Sequence, residues 1–86
     1  MYRHDFIKSL QDGKVLKSDD MGRIFKDVDG EYVFMAAGIC ARAEFMTESE
    51  TDASIVHFQR YLQIDDKHRI PFVKFTVSTC CWDVME

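Results

Sequence analysis

Thiols at Cys40, Cys80 and Cys81 and imidazoles at His4, His57 and His68 are the groups with which this chain could hold a metal, exchange disulfides or activate a nucleophile. Zinc sites use ligand pairs such as Cys-x2-Cys or His-x3-His, which set two donors at tetrahedral angles. These six donors are scattered instead, and adjacent Cys80 and Cys81 on a strand would point to opposite faces. Thiol exchange relies on Cys-x-x-Cys at a helix start, a setting that a vicinal pair lacks. Strand cysteines behave as small buried hydrophobes, the expectation for Cys40 and for one of the tail pair. Hydrolysis needs a nucleophile, a base and a group that orients the base. His57 and His68 are candidate bases and Cys80, Cys81, Ser78 and Ser54 candidate nucleophiles, yet no order or spacing assembles a trio. The expectation is a protein with no metal, no cofactor and no catalytic set.

Carboxylates and glycines point the same way. Asp27-Val28-Asp29-Gly30 resembles part of an EF-hand loop, which would also need an acidic ligand at Phe25 and a glutamate at Ala36. Neither is present, and Asp29-Gly30 instead favours the type I′ turn of a tight hairpin joining Ile24–Val28 to Glu31–Ala37. The pairs Asp19-Asp20 and Asp65-Asp66 sit in turn-like contexts, where Asp serves the backbone. The four glycines follow no phosphate-binding pattern.

The elements that would position these groups are short. Tyr2, Phe6, Ile7 and Leu10 form one face of a helix over residues 2–11, which Gly13 would end. A connector, KVLKSDDMG, leads to the hairpin. Gly38 marks a turn or bulge, after which Ile39, Ala41, Ala43 and Phe45 alternate with Arg42 and Glu44 as a strand. An acidic loop follows. In residues 53–64 a period of two puts Val56, Phe58, Leu62 and Ile64 on one face against His57, Gln59 and Gln63, favouring a strand. Ser49, Thr51 and Asp52 are also respectable helix caps. Asp65 to His68 reads as a polar turn, and RIPFVKFTV as a further strand with Pro71 near its start. The tail would be extended, continuing that strand or folding back beside it. The expected fold is one α+β domain over residues 1–86, an N-terminal helix packed on an antiparallel meander of four or five strands.

A chain of 86 residues supports one modest core. Net charge is −4, which disfavours broad binding to duplex nucleic acid. Residues 1–30 balance six basic against six acidic side chains, so the deficit lies in residues 31–86, with five against nine. Three cysteines without secreted-type spacing suggest a reducing, cytoplasmic setting. The N-terminal residues do not read as a signal peptide, and no stretch approaches the roughly 20 apolar residues of a membrane span.

Cys81-Trp82-Asp83, with Phe75-Thr76 before and Glu86 after, resembles the C-terminal end of a small family of phage-encoded anti-CRISPR proteins of nearly this length. That resemblance implies an inhibitor that binds the HNH nuclease domain of a CRISPR effector and blocks its active site. A Ser-Cys pair just before the family's tryptophan contacts the nuclease, and the pair corresponds by position to Cys80 and Cys81, with Cys in place of Ser. The resemblance spans about ten residues. Independently, abundant aromatics without a catalytic set favour a non-enzymatic binder of another macromolecule. Candidate partner-binding residues are Trp82, Cys80, Cys81, Tyr2, Tyr61 and Arg60, with Glu48, Glu50 and Asp52 steering a basic protein partner, a nuclease or another defence protein. Trp82 has a second reading, as a core anchor closing the sheet. One alternative function is an antitoxin-like RNA binder using Lys14, Lys17, Arg23 and Lys26, with Phe25 or Tyr32 as a stacking platform. Another is a small enzyme whose site, with His57 and His68, is shared across a homodimer. Monomer and homodimer both remain open.

Overall fold

The computed structural model describes residues 1–63 and 67–85, with side chains throughout except at 39, 60–63 and 69–73. Helix α1 spans Arg3–Gln11 and buries Phe6 and Leu10, four residues apart on one face. Asp5 in its first turn and Lys8 in its last complement the helix dipole. Its end is a Schellman motif, as Gly13 foretells: Gly13 N–H donates to Leu10 O at 3.1 Å and Lys14 N–H to Ser9 O at 3.0 Å.

Every regular element after the helix, among the described residues, is a strand. The strands are β1 (Leu16–Ser18), β2 (Gly22–Lys26), β3 (Tyr32–Ala36), β4 (Ile39–Glu48), β5 (Ile55–Gln63), β6 (Arg69–Ser78) and β7 (Asp83–Val84). They form a single antiparallel sheet in the order β6-β5-β4-β3-β2-β1-β7. This corrects the expectation of an α+β helix on four or five strands: the domain is mostly β, with seven strands and one nine-residue helix among the described residues. The miscount has a physical origin. Strands β1 and β7 have three and two residues, too few to carry a period, and lie where the sequence reads as connector and tail. Residues 55–63 are strand, as their two-residue period suggests. Asp65 and Asp66 of the expected polar turn, and Ile64, lie outside the described residues.

The hairpin turn at Asp29-Gly30 departs from the type expected of it, while a turn does form at Gly38 as expected. Between β2 and β3 the Asp27 N–H donates to Glu31 O at 2.9 Å and Gly30 N–H to Asp27 O at 3.1 Å, leaving a three-residue loop. Gly30 alone has a positive φ, 85°, so the turn is type I followed by a left-handed residue rather than type I′. The Asp27 carboxylate holds it by accepting N–H bonds from Asp29 and Glu31, both 3.0 Å, and it pairs with Arg42. The type I′ geometry is found instead at Ala37-Gly38, where φ is 49° and 79° between paired Ala36 and Ile39.

The inner face of the sheet carries Leu16, Ile24, Ala43, Val56 and Phe58, all fully buried with Phe6 and Leu10 of the helix. Apart from Ala43, whose lone methyl contributes less, each such side chain contributes about 1.5–3 kcal/mol by leaving water. Alternation along β4 holds only to Ala43. Ala43 pairs with Leu62 but Phe45 with Gln59, so two steps along β4 match three along β5. Beyond this bulge Met46 packs on the core and Phe45 turns out, 44 % exposed, against the expectation that it shares the face of Ala43.

The chain's path shows that the sheet is strongly curled. Strands β6 and β7 are its opposite edges, yet only four residues separate Ser78 from Asp83. A flat seven-stranded sheet would be about 29 Å wide, whereas that link reaches at most about 18 Å. Phe34 on β3 and Phe75 on β6, three strands apart, accordingly meet inside the curl at 5.3 Å between ring centroids. The tail therefore neither continues β6 nor folds back beside it. It crosses to the other edge, where Leu16 pairs with Val84 and Lys17 with Asp83.

Candidate functional site

The crossing segment, residues 79–82, forms a strap over one end of the curl. Thr79 is fully buried, and both its N–H and its Oγ1 donate to Ser54 O, at 2.8 and 3.2 Å. Trp82 is 2 % exposed, donates Nε1–H to Ser78 O at 2.9 Å and packs edge-on against Phe6 at 5.9 Å. Of the two roles open to Trp82, the structure places it in the core. Between these anchors Cys80 and Cys81 lie in a turn, both exposed, with the Met1 nitrogen donating to Cys80 O at 3.1 Å. A turn does not alternate side chains as a strand does, so the expected burial of one tail cysteine fails. Cys40 is also exposed, because it sits on the outer face of β4 opposite Met35.

The acidic loop between β4 and β5 reaches the strap and is more than a solvated connection. Ser49 Oγ accepts N–H bonds from Thr51 and Asp52 at 3.3 and 3.1 Å, and Asp52 Oδ1 accepts the Ser54 N–H at 2.9 Å and hydroxyl at 2.7 Å. The Ser54 hydroxyl, then its N–H, hold the Asp52 carboxyl below its ordinary pKa. From the helix, Arg3 Nη1 donates to the carbonyls of Ser49, Asp52 and Ile55 at 2.8, 2.9 and 3.4 Å, while its Nε lies 3.2 Å from Glu48. Sequence reasoning passed over Arg3, since nothing local marks an arginine that will serve a loop 46 residues away. The cap-forming character of Ser49 and Asp52 was the visible half of this arrangement: both do bind backbone N–H groups, in a loop rather than at a helix start.

One end of the molecule thus gathers Cys80, Cys81, Glu48, Glu50 and Asp52 from the sequence-derived set. Tyr2, 84 % exposed, precedes Arg3 there. The side chains of Arg60 and Tyr61 lie outside the described residues.

The basic strip is not brought together. Lys17 and Arg23 face each other across β1 and β2 on the outer face. Lys26 falls on the other face, opposite Tyr32 and 5.7 Å above its ring. Lys14 is exposed in the loop after α1. Tyr32 is only 7 % exposed, and burial pushes its phenol pKa up, so it offers no stacking platform. His57 pairs with Thr76 near one end of the β5–β6 hairpin, whereas His68 lies beyond the Gln63–Arg69 pair at the other. Six strand steps put them about 20 Å apart within one chain.

Among the described residues no three His, Cys, Asp or Glu side chains converge to hold a metal ion, and no helix is long and apolar enough to cross a membrane. Compared with protein-family models, curated proteins and solved structures, the chain matches none of them.

Proposed function

We propose that this domain acts without catalysis, docking its strap end onto another protein and inhibiting it. The observation that carries this reading is the presentation of Cys80 and Cys81 on a two-residue turn held between buried Thr79 and Trp82. Beside it the Glu48–Asp52 loop is fixed by Arg3. Such a surface loses little conformational entropy on binding, and rigidity of this kind converts contacts into affinity. Exposed Tyr2 supplies an aromatic contact, and Glu50 with Asp52 favours a partner with a basic rim.

The anti-CRISPR resemblance names the first partner to try, the HNH nuclease domain of a CRISPR effector. In that family the two residues before the tryptophan touch the nuclease; in this chain the same two positions are exposed and the tryptophan after them is buried. Support for the reading comes from that match of exposure to position.

Binding of the wild-type chain to a purified HNH domain, measured against the variant carrying Cys80→Arg and Cys81→Arg, tests it. The expected loss is at least about tenfold, or about 1.4 kcal/mol. Raising salt from about 50 to 200 mM should weaken the wild-type complex less than about tenfold, against the 10³–10⁵ of a protein making many phosphate contacts. If lysate capture yields RNA with that steeper dependence, unaffected by the strap variants, the docking reading is wrong.

A further inference from the structure

We propose that Cys80 and Cys81 form a bidentate thiol site for thiophilic electrophiles, trivalent organoarsenicals being the chemical class that fits. On a strand, neighbouring thiols diverge to opposite faces. The structure removes that obstacle by placing both in a turn where both are exposed. The flanking residues cannot swing away: Thr79 is fully buried and doubly bonded to Ser54 O, and Trp82 is 2 % exposed against Phe6. The pair is therefore held as one unit on a fixed base.

The number of donors selects the ligand. No third His, Cys, Asp or Glu joins the pair among the described residues, so a tetrahedral zinc site is incomplete there. Soft ligands remain. An arsenical R–As=O needs only two thiols, because its third bond is already made to carbon. Two S–H bonds and the As–O linkage break, two As–S bonds form, the oxygen leaves with both protons as water, and arsenic stays trivalent. Internal disulfide formation competes poorly. Adjacent Cα atoms across a trans peptide are about 3.8 Å apart, below the usual disulfide range that begins at about 4.4 Å. The pair thus stays a dithiol where thiols are kept reduced. Cys40 lies toward the far end of β4, beside the Ala37-Gly38 turn, and serves as an internal monothiol control. This chemistry does not rest on the docking reading and survives its failure.

The test uses phenylarsine oxide as the probe with the intact folded chain. Native mass and thiol counting should show one arsenical per chain, two thiols consumed and Cys40 still free. A simple dithiol should strip the adduct where a monothiol does not. Cys80→Ser and Cys81→Ser should each weaken retention by at least about 100-fold, the scale on which a tethered second contact operates. Cys40→Ser should behave as wild type. All three thiols are exposed, so near-identical thermal unfolding of the variants should accompany these results. One thiol consumed per arsenical, equal retention by the single variants, or dependence on Cys40 would each overturn the site.

Discussion

Trp82→Phe separates the structural role of the strap from any contact role. Phenylalanine keeps the edge-on partner for Phe6 but removes the N–H that reaches Ser78 O and half of the bicyclic ring. Leaving that carbonyl without its donor costs about 1–3 kcal/mol. Lost packing in a site now 2 % exposed adds about 1 kcal/mol. A domain of this length has roughly 4–13 kcal/mol of stability, so a loss of about 2–4 kcal/mol leaves it mostly folded except at the bottom of that range. The corresponding fall in melting temperature is about 8–32 °C, at about 4–8 °C per kcal/mol. Trp82 is the only tryptophan, so urea unfolding should be followed by far-ultraviolet circular dichroism rather than fluorescence. A variant within about 0.5 kcal/mol of wild type would show that the strap is not anchored through this side chain. Unchanged stability with lost partner binding would go further and return Trp82 to the surface.

Arg3→Met removes the donor to three loop carbonyls and should cost about 2 kcal/mol, with amide exchange rising fastest across residues 49–55; uniform protection there would refute the anchoring role. Ala37→Asn places a residue that tolerates the left-handed region at φ 49° and should raise stability by about 0.5–1 kcal/mol in urea unfolding, while a loss would contradict a type I′ turn. Burial pushes the Asp27 carboxyl up, but bonds from Glu31 N–H, Arg42 and Asp29 N–H outweigh it and leave its pKa below the ordinary value. A depressed folded pKa stabilises above the unfolded value and loses that contribution as pH falls through the folded one. Stability should therefore decline from about pH 5 toward pH 2, and the decline should be shallower in Asp27→Asn; identical slopes would show that Arg42 and the turn do not hold the carboxylate.

Local features were legible because their causes are local. The four-residue spacing of Phe6 and Leu10 and the following Gly13 specify the helix and its Schellman end, and alternation through Val56 and Phe58 specifies a strand. The hairpin was visible in Asp29-Gly30, but its turn type depends on the Asp27 carboxylate binding two N–H groups, which no dipeptide preference encodes. Phe45 was misplaced because a bulge inverts every side chain after it and leaves no mark on composition. Exposure of all three cysteines was missed for a related reason: the inference rested on strand alternation, and two of the three are not on strands. At the strap end the acidic residues and cysteines were visible as types. Their convergence was not, since it depends on Arg3 and Thr79 reaching across the chain.

Pairing of Leu16 with Val84 also sets a timetable. During synthesis the strands from β1 to β6 can be laid down hairpin by hairpin as each leaves the ribosome, but β1 must wait for the last of the seven. Until residues 79–84 emerge, Phe6 lacks its aromatic neighbour and the hollow side of the sheet stays open to water. A nascent chain stalled just before Thr79 therefore carries an uncovered apolar hollow, the kind of surface through which incomplete chains associate with one another.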